Sequence, residues 1–158
     1  MDEIISVWKP YIDGIADWQP LIKNVTPKQT DCGPVFELSN PIDRPNESFA
    51  ICDMRGLQLS GAHYHTGGET EFYFVIEGQG TVVVGGKPVE VMQGSVVVTP
   101  PDVTHFTISN GLVLAVVNTP PFSADNYRQL DGSKPDVGFD QAQYESYKPN
   151  YRRGVTAK

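Results

Sequence analysis

The sequence predicts an all-β fold, a closed or double-sheet arrangement of short strands. Three observations carry that expectation. Between residues 47 and 120 the chain falls into short apolar or alternating runs of strand length. Glycines stand between the runs, at Gly78, Gly85-Gly86, Gly94 and Gly111, where tight turns need them. Helical periodicity is almost absent from the same stretch.

The rest of the chain frames this barrel. Residues 1–46 read as an irregular extension packing on it, because Pro10, Pro20, Pro27, Pro34, Pro41 and Pro45 fix φ and remove donors. A short helix is expected over Ile12–Trp18 and a strand over Val35–Leu38. Barrel strands are expected at Phe49–Arg55, Leu57–His65, Glu71–Glu77, Gly80–Val84, Pro88–Met92, Ser95–Thr99, His105–Ser109 and Leu112–Val117. Residues 121–158 read as a polar cover and tail, with two helical turns over Asp140–Tyr147 stopped before Pro149. Asp125, Asn126 and Tyr127 fall in that cover, as a lid past the last strand or as an outer layer. Trp8 and Trp18 are expected to close one barrel end or to join a dimer contact.

Composition limits the function classes. A chain of 158 residues reads as one domain and buries about 68–70% of its unfolded surface on folding. The hydrophobic fraction of 39% excludes a wholly disordered chain. Twelve Lys and Arg against nineteen Asp and Glu leave a net charge of −7. Nucleic acid and anionic membranes are therefore not expected as partners. The opening Met-Asp-Glu has neither the basic nor the apolar region of a secretory signal, and the apolar runs are too short to cross a bilayer. Cys32 and Cys52 make no disulfide framework and suit reduced thiols, so the expectation is a cytoplasmic protein.

Chemistry concentrates at the three histidines, His63, His65 and His105. His63-Tyr64-His65 places two imidazoles on one face of a strand, and a barrel can bring a later strand bearing His105 alongside. Imidazole is the commonest metal ligand and binds as the neutral ring. Such sites usually add a carboxylate. Glu71, opening the next strand, is the first candidate, and Glu69 is the alternative.

These residues carry a family resemblance. His63-Tyr-His65, then Glu71, then six residues and Gly78, resembles the first motif of the cupin superfamily. Gly94, then five residues, Pro100 and later His105, resembles the second. The resemblance covers residues 57–118, or 62 of the 158. Five residues separate His65 from Glu71 where the family has three or four. Asp102 stands where the second motif has Gly, and Ser109 where it often has Asn. The resemblance implies a double-stranded β-helix, the jelly-roll barrel, holding one divalent transition metal (Fe, Mn, Ni, Zn, Cu or Co) on His63, His65, Glu71 and His105. It also implies a homodimer.

Cupins include dioxygenases, isomerases, decarboxylases, lyases and non-enzymatic binders, so the fold does not name the reaction. Period two puts Tyr73 beside Glu71 as a hydrogen-bond donor, a general acid or base, or a core filler. It also puts Thr107 beside His105 as a polar wall residue. Arg55 and Gln58 precede the first histidine strand and are candidates to hold a substrate carboxylate or carbonyl. Lys87 is the sole Lys or Arg within 57–118. That scarcity argues against a phosphorylated substrate, although Glu71-x-Tyr73 with Gly78-x-Gly80 also resembles the archaeal cupin phosphoglucose isomerases. The first expectation is a metal-dependent dioxygenase of a small diketone, enediol or aromatic molecule. The second is an isomerase, epimerase or lyase with Tyr73 moving a proton, and the third a binder without turnover.

Overall fold

In the computed structural model, residues 18–39, 45–130 and 139–148 are described. Among them nine strands form one curled antiparallel sheet, a half-barrel with one short helix before the strands and one after them. The strands are β1 (Lys28–Thr30), β2 (Gly33–Glu37), β3 (Ser48–Asp53), β4 (His63–His65), β5 (Thr70–Val84), β6 (Lys87–Met92), β7 (Val96–Thr99), β8 (His105–Thr119) and β9 (Tyr127–Gln129). The helices are α1 (Gln19–Ile22) and α2 (Gln141–Tyr147). One path runs β1-β2-β3-β8-β4-β9, and β5 joins β8 to β6 and β7.

β5 and β8 are the backbone of the fold, each 15 residues long and paired along almost their whole length, from Thr70↔Thr119 to Val84↔His105. The sequence reading split each of them in two at a glycine. The structure corrects this: the glycines bend the strands without ending them. The register shifts between Val75 and Glu77 and again between Glu77 and Gln79, which is bulge geometry. Gly78 sits there at φ +79°, and a Cβ on it would run into the carbonyl oxygen of Gly111. β4 is shorter than the expected Leu57–His65. Leu59 keeps only an isolated bridge to Ile108, and the intervening chain turns at Met54–Leu57.

Both flanking segments add strands to the sheet. β2 pairs with β3 through Val35↔Cys52, close to the expected strand. β1 and β9 were not anticipated, because β1 is exposed along its length and neither strand alternates apolar with polar residues. The expected Ile12–Trp18 helix falls outside the described residues except for Trp18, which caps α1. Trp8 lies outside them as well. α2 starts where Asp140 accepts the Gln143 N–H at 3.0 Å, the cap of a short helix.

Apolar side chains divide between the two faces of the sheet. The inner face gathers Cys52, Met54, Tyr73, Val75, Val97 and Leu114 with their neighbours into the main core. On the outer face Trp18 packs with Ile51, Ile76 and Val113 and donates its indole N–H to Glu77 at 2.9 Å. α2 covers a third cluster built on Phe106, and Tyr144 donates its hydroxyl to the Ser60 carbonyl at 2.9 Å. No helix among the described residues is long and apolar enough to cross a membrane.

Asp102 has φ +59°, the left-handed region, and donates its N–H to the His65 carbonyl at 2.8 Å. That backbone conformation explains a glycine at this position, and Asp is one of the few other residues that tolerate it. Asp102→Val is expected to lower stability by about 1–2 kcal/mol, whereas Asp102→Gly leaves it unchanged or higher. Urea unfolding of both variants checks this, and equal stability for Val and Asp would contradict it.

Candidate metal centre

β4, β5 and β8 converge on the three histidines and Glu71. His63 and His65 are buried on one face of β4, with half-buried Tyr64 between them. His63 is the register partner of His105, so their ring centroids lie 4.3 Å apart. Nδ1 of His63 lies 3.0 Å from the Gly61 carbonyl, and Nδ1 of His105 lies 3.0 Å from the Val103 carbonyl. A carbonyl only accepts, so each Nδ1 carries the proton. That leaves the two Nε2 atoms for a ligand. The Glu71 Oε2 is 3.1 Å from His105 Nε2 and 3.5 Å from His65 Nε2. One ligand atom from each of His63, His65, Glu71 and His105 lies within 4.8 Å of the others, and all four residues are buried.

Glu69 holds a different place. It is fully buried, and its Oε1 lies 3.0 Å from Nδ1 of His65, behind the ring. Asn118 bridges the two carboxylates, donating to Glu69 Oε1 at 2.9 Å and to Glu71 Oε1 at 3.2 Å. The long gap before Glu71 is taken up by Gly67 and Gly68, both at positive φ. Geometry therefore groups Glu71 with the histidines and sets Glu69 behind His65, the position of a group that orients a ligand. The sequence left these two open. Asn118 was missed, because only the register pair Glu71↔Asn118 brings it to the site.

One observation tests the fit to a metal. Both ring nitrogens of His65 are buried without an aligned hydrogen bond, although carboxylates lie near each. Buried polar nitrogen without a partner is costly. A divalent cation on Nε2 would satisfy it, and imidazole plus carboxylate is a donor set that transition metals favour. The residues present fit the metal that the sequence implied.

Residues 52–117 match the cupin domain family. That segment, which carries both histidine motifs, is a cupin domain. The sequence matches no curated protein. Among solved structures this cupin resembles Pac13 of Streptomyces with uridine, at 11% identity and a TM-score of 0.61 over 69% of this chain and 87% of that one. Pac13 is described as a nucleoside dehydratase. It also resembles the oxalate decarboxylase of Lactobacillus farciminis in complex with formate, at 20% identity and a TM-score of 0.59 over 70% of this chain and 35% of that one. Both likenesses speak to the fold.

Electrostatics at the cupin centre is split between its histidines. Burial, with His105 close by, pushes His63 down to about 3, so it stays neutral and ready to coordinate. Burial also opposes charge on His65, but Glu69 and Glu71 outweigh it and raise that ring to about 9. Glu71 is held well below the usual carboxylate range: burial opposes this, and His105 and His65 prevail.

With no cation bound, His65 therefore keeps a second proton at neutral pH, and a metal on Nε2 must displace it. Metal binding at pH 7.5 is expected to release about one proton, and affinity to rise about tenfold per pH unit up to about 9. Titration calorimetry in buffers of different ionisation enthalpy reads the proton count; a count near zero would contradict the assignment. Stability without metal follows the same shifts. The His65 contribution is full below its unfolded value of 6.5 and is lost as pH rises through about 9. The His63 contribution is full above 6.5 and is lost as pH falls towards about 3.

The centre opens into a cavity of about 450 Å³ whose walls are largely apolar, including Phe49, Leu114 and Val116. Tyr73 and Thr107 line it, as their spacing implied. Burial, with Glu71 near, pushes the Tyr73 phenol well above its ordinary value, so it stays protonated and can donate a hydrogen bond. Thr107 is buried and gives its N–H to Ser60 Oγ at 2.9 Å. Arg55 and Gln58 are corrections: both are exposed and neither lines the cavity. Arg55 is drawn off by Asp53, two residues back, at 2.6 Å and stacks over Trp18 on the outer face. Only the backbone carbonyl of Gln58 is engaged, accepting the Ser109 N–H at 2.9 Å.

The expected cover over residues 125–127 instead delivers Tyr127 to the cavity at the head of β9. Asp31, from the β1–β2 turn, reaches it as well. Asp31 had no signal in the sequence beyond its residue type, and Tyr127 only its place after the last expected strand. Cys32 and Cys52 are free thiols on the same wall, and burial pushes Cys52 up to about 12.

Proposed function

We propose that this cupin is a metal-dependent enzyme that transforms a small organic molecule bound through oxygen donors beside His63, His65, Glu71 and His105. The convergence of His63, His65, Glu71 and His105, all buried with ligand atoms within 4.8 Å of one another at the wall of an apolar cavity, carries the reading. A metal on these residues would supply Lewis acidity or, as iron, electrons for dioxygen. The chain does the rest. Gly61 and Val103 carbonyls fix two imidazole tautomers, Glu69 and Asn118 orient His65 and Glu71, and valine and leucine side chains make the wall beside them apolar.

Oxygenation of a chelating diketone or enediol is the first reading. Its support is the apolar wall and the state of Lys28, the one lysine or arginine among the described lining residues. Lys28 is paired with Glu37 at 2.7 Å and exposed. A lyase or isomerase is the second reading, favoured by the position of the buried Tyr73 hydroxyl with Glu71 on the cavity wall. That dehydratase and decarboxylase structures share the fold adds to this reading by analogy alone.

The test is dioxygen uptake by the iron-loaded protein given acetylacetone as a chelating probe, repeated with His105→Ala. Uptake abolished by the substitution supports oxygenation. Turnover of a hydroxy-ketone without dioxygen, reduced at least about tenfold by Tyr73→Phe, replaces it with the second reading. Thermal stabilisation by ligands with no product in either assay leaves a binding protein and overturns the proposal of an enzyme.

A further inference from the structure

A second polar pair stands on the cavity wall beside the metal centre. Tyr127 donates its hydroxyl to Asp31 Oδ2 at 2.7 Å, joining two segments 96 positions apart. The Asp31 carbonyl accepts the Gly61 N–H at 3.1 Å. A Cβ on Gly61 would run into the Asp31 carboxylate, so the missing side chain lets the β1–β2 turn press onto the start of the histidine strand. The Tyr127 ring lies 4.8 Å from the His63 ring and 5.7 Å from the His65 ring. A carboxylate oxygen of Asp31, Cys32 Sγ and a His63 ring nitrogen lie within 4.8 Å of one another. One hydrogen bond to the side chain and one to the backbone thus hold the Asp31 carboxylate beside the centre.

That carboxylate has acceptor capacity left. An ionised carboxylate offers about four acceptor positions. The Tyr127 hydroxyl takes one, and the Cys32 thiol approaches another at 3.8 Å. The charged lining residues besides the histidines are Lys28, Asp31, Glu37 and Glu71, and Lys28 is spent on Glu37. With Glu71 engaged by the histidines, an anionic substrate would meet the Asp31 carboxylate and no lysine or arginine of the described wall free of a partner. A hydroxyl or amine would meet a fixed acceptor.

We infer that Asp31, held by Tyr127 and Gly61, is the specificity-determining residue of this cavity. It accepts a hydrogen bond from an uncharged α-hydroxycarbonyl compound or vicinal diol whose neighbouring oxygen reaches the His63–His65–Glu71–His105 centre, and it disfavours carboxylates and phosphates. This deepens the proposed function and rests on its reading of the cavity as the substrate site.

The experiment titrates the zinc-loaded full chain with dihydroxyacetone, an uncharged probe, and with glycolate, an anion offering similar oxygen donors. Asp31→Asn keeps the shape of the side chain and removes its charge. The ratio of the two affinities is expected to move about tenfold towards glycolate, with dihydroxyacetone weakened. An unchanged ratio overturns the inference.

Tyr127→Phe serves as a second variant, since it leaves the charge but frees its orientation. It is expected to weaken dihydroxyacetone about threefold or more while glycolate holds; an equal change in both, or none, overturns the inference. Zinc content, measured on every sample, separates the two claims. A chain that binds no zinc defeats the metal reading. The same titrations on that chain then decide Asp31 by whether Asp31→Asn shifts the ratio.

Discussion

His65→Ala is expected to lower the stability of the metal-free protein by about 3–5 kcal/mol. The ring is the group that lies against both Glu69, at 3.0 Å, and Glu71, at 3.5 Å, and both carboxylates are buried. Removing it leaves Glu69 with only the Asn118 amide at Oε1 and no partner at Oε2. An uncompensated buried charge is more destabilising than the loss of a contact between neutral groups. Adding Glu69→Gln to His65→Ala should recover part of the loss, because the amide is not charged. Urea unfolding in the presence of a chelator measures both. A loss under about 1 kcal/mol for His65→Ala, the range of an exposed ion pair, would mean that the buried charges are not coupled as the distances imply.

The second large effect is expected at Gly78, far from the ligands in sequence but central to how they meet. Gly78→Ala should destabilise the fold by at least about 3 kcal/mol. Its φ of +79° disfavours any side chain, and the obstacle is the Gly111 carbonyl with the Leu112 nitrogen behind it, all backbone. No side chain can swing aside there. Gly111→Ala is the control: its φ is +77°, yet an added Cβ meets nothing. It should cost only the left-handed penalty of about 1–2 kcal/mol. Equal losses at the two positions would show that backbone conformation, not the close approach of β5 and β8, sets the cost. Because Glu71 lies on β5 and His105 on β8, the same crossing fixes how the carboxylate meets the imidazole.

The strands were largely legible because Val, Ile and Phe runs mark them, but the meaning of the glycines was not. A glycine at a turn and a glycine at a bulge have the same sequence signature, and only the pairing of Gly78 against Gly111 decides between them. At the site, same-face spacing placed His63 with His65. Bringing His105 to them depended on the β4–β8 register. Counting residues could not rank Glu69 against Glu71, because the two glycines before them absorb a variable gap.

Arg55 shows the opposite limit: nearness in sequence to a site says nothing about facing it, and Asp53 captures the guanidinium first. Asp31 was invisible for a simpler reason. It sits in a polar turn beside an exposed strand, where sequence gives no hint that Gly61 leaves room for it.

The account stands or falls on the four-residue metal centre. The most direct measurement is elemental analysis of the chain after reconstitution with divalent transition metals and removal of excess, beside His65→Ala treated in the same way. The account predicts about one metal per chain in the first sample and essentially none in the second. Equal metal in both samples, or none in either, would contradict it.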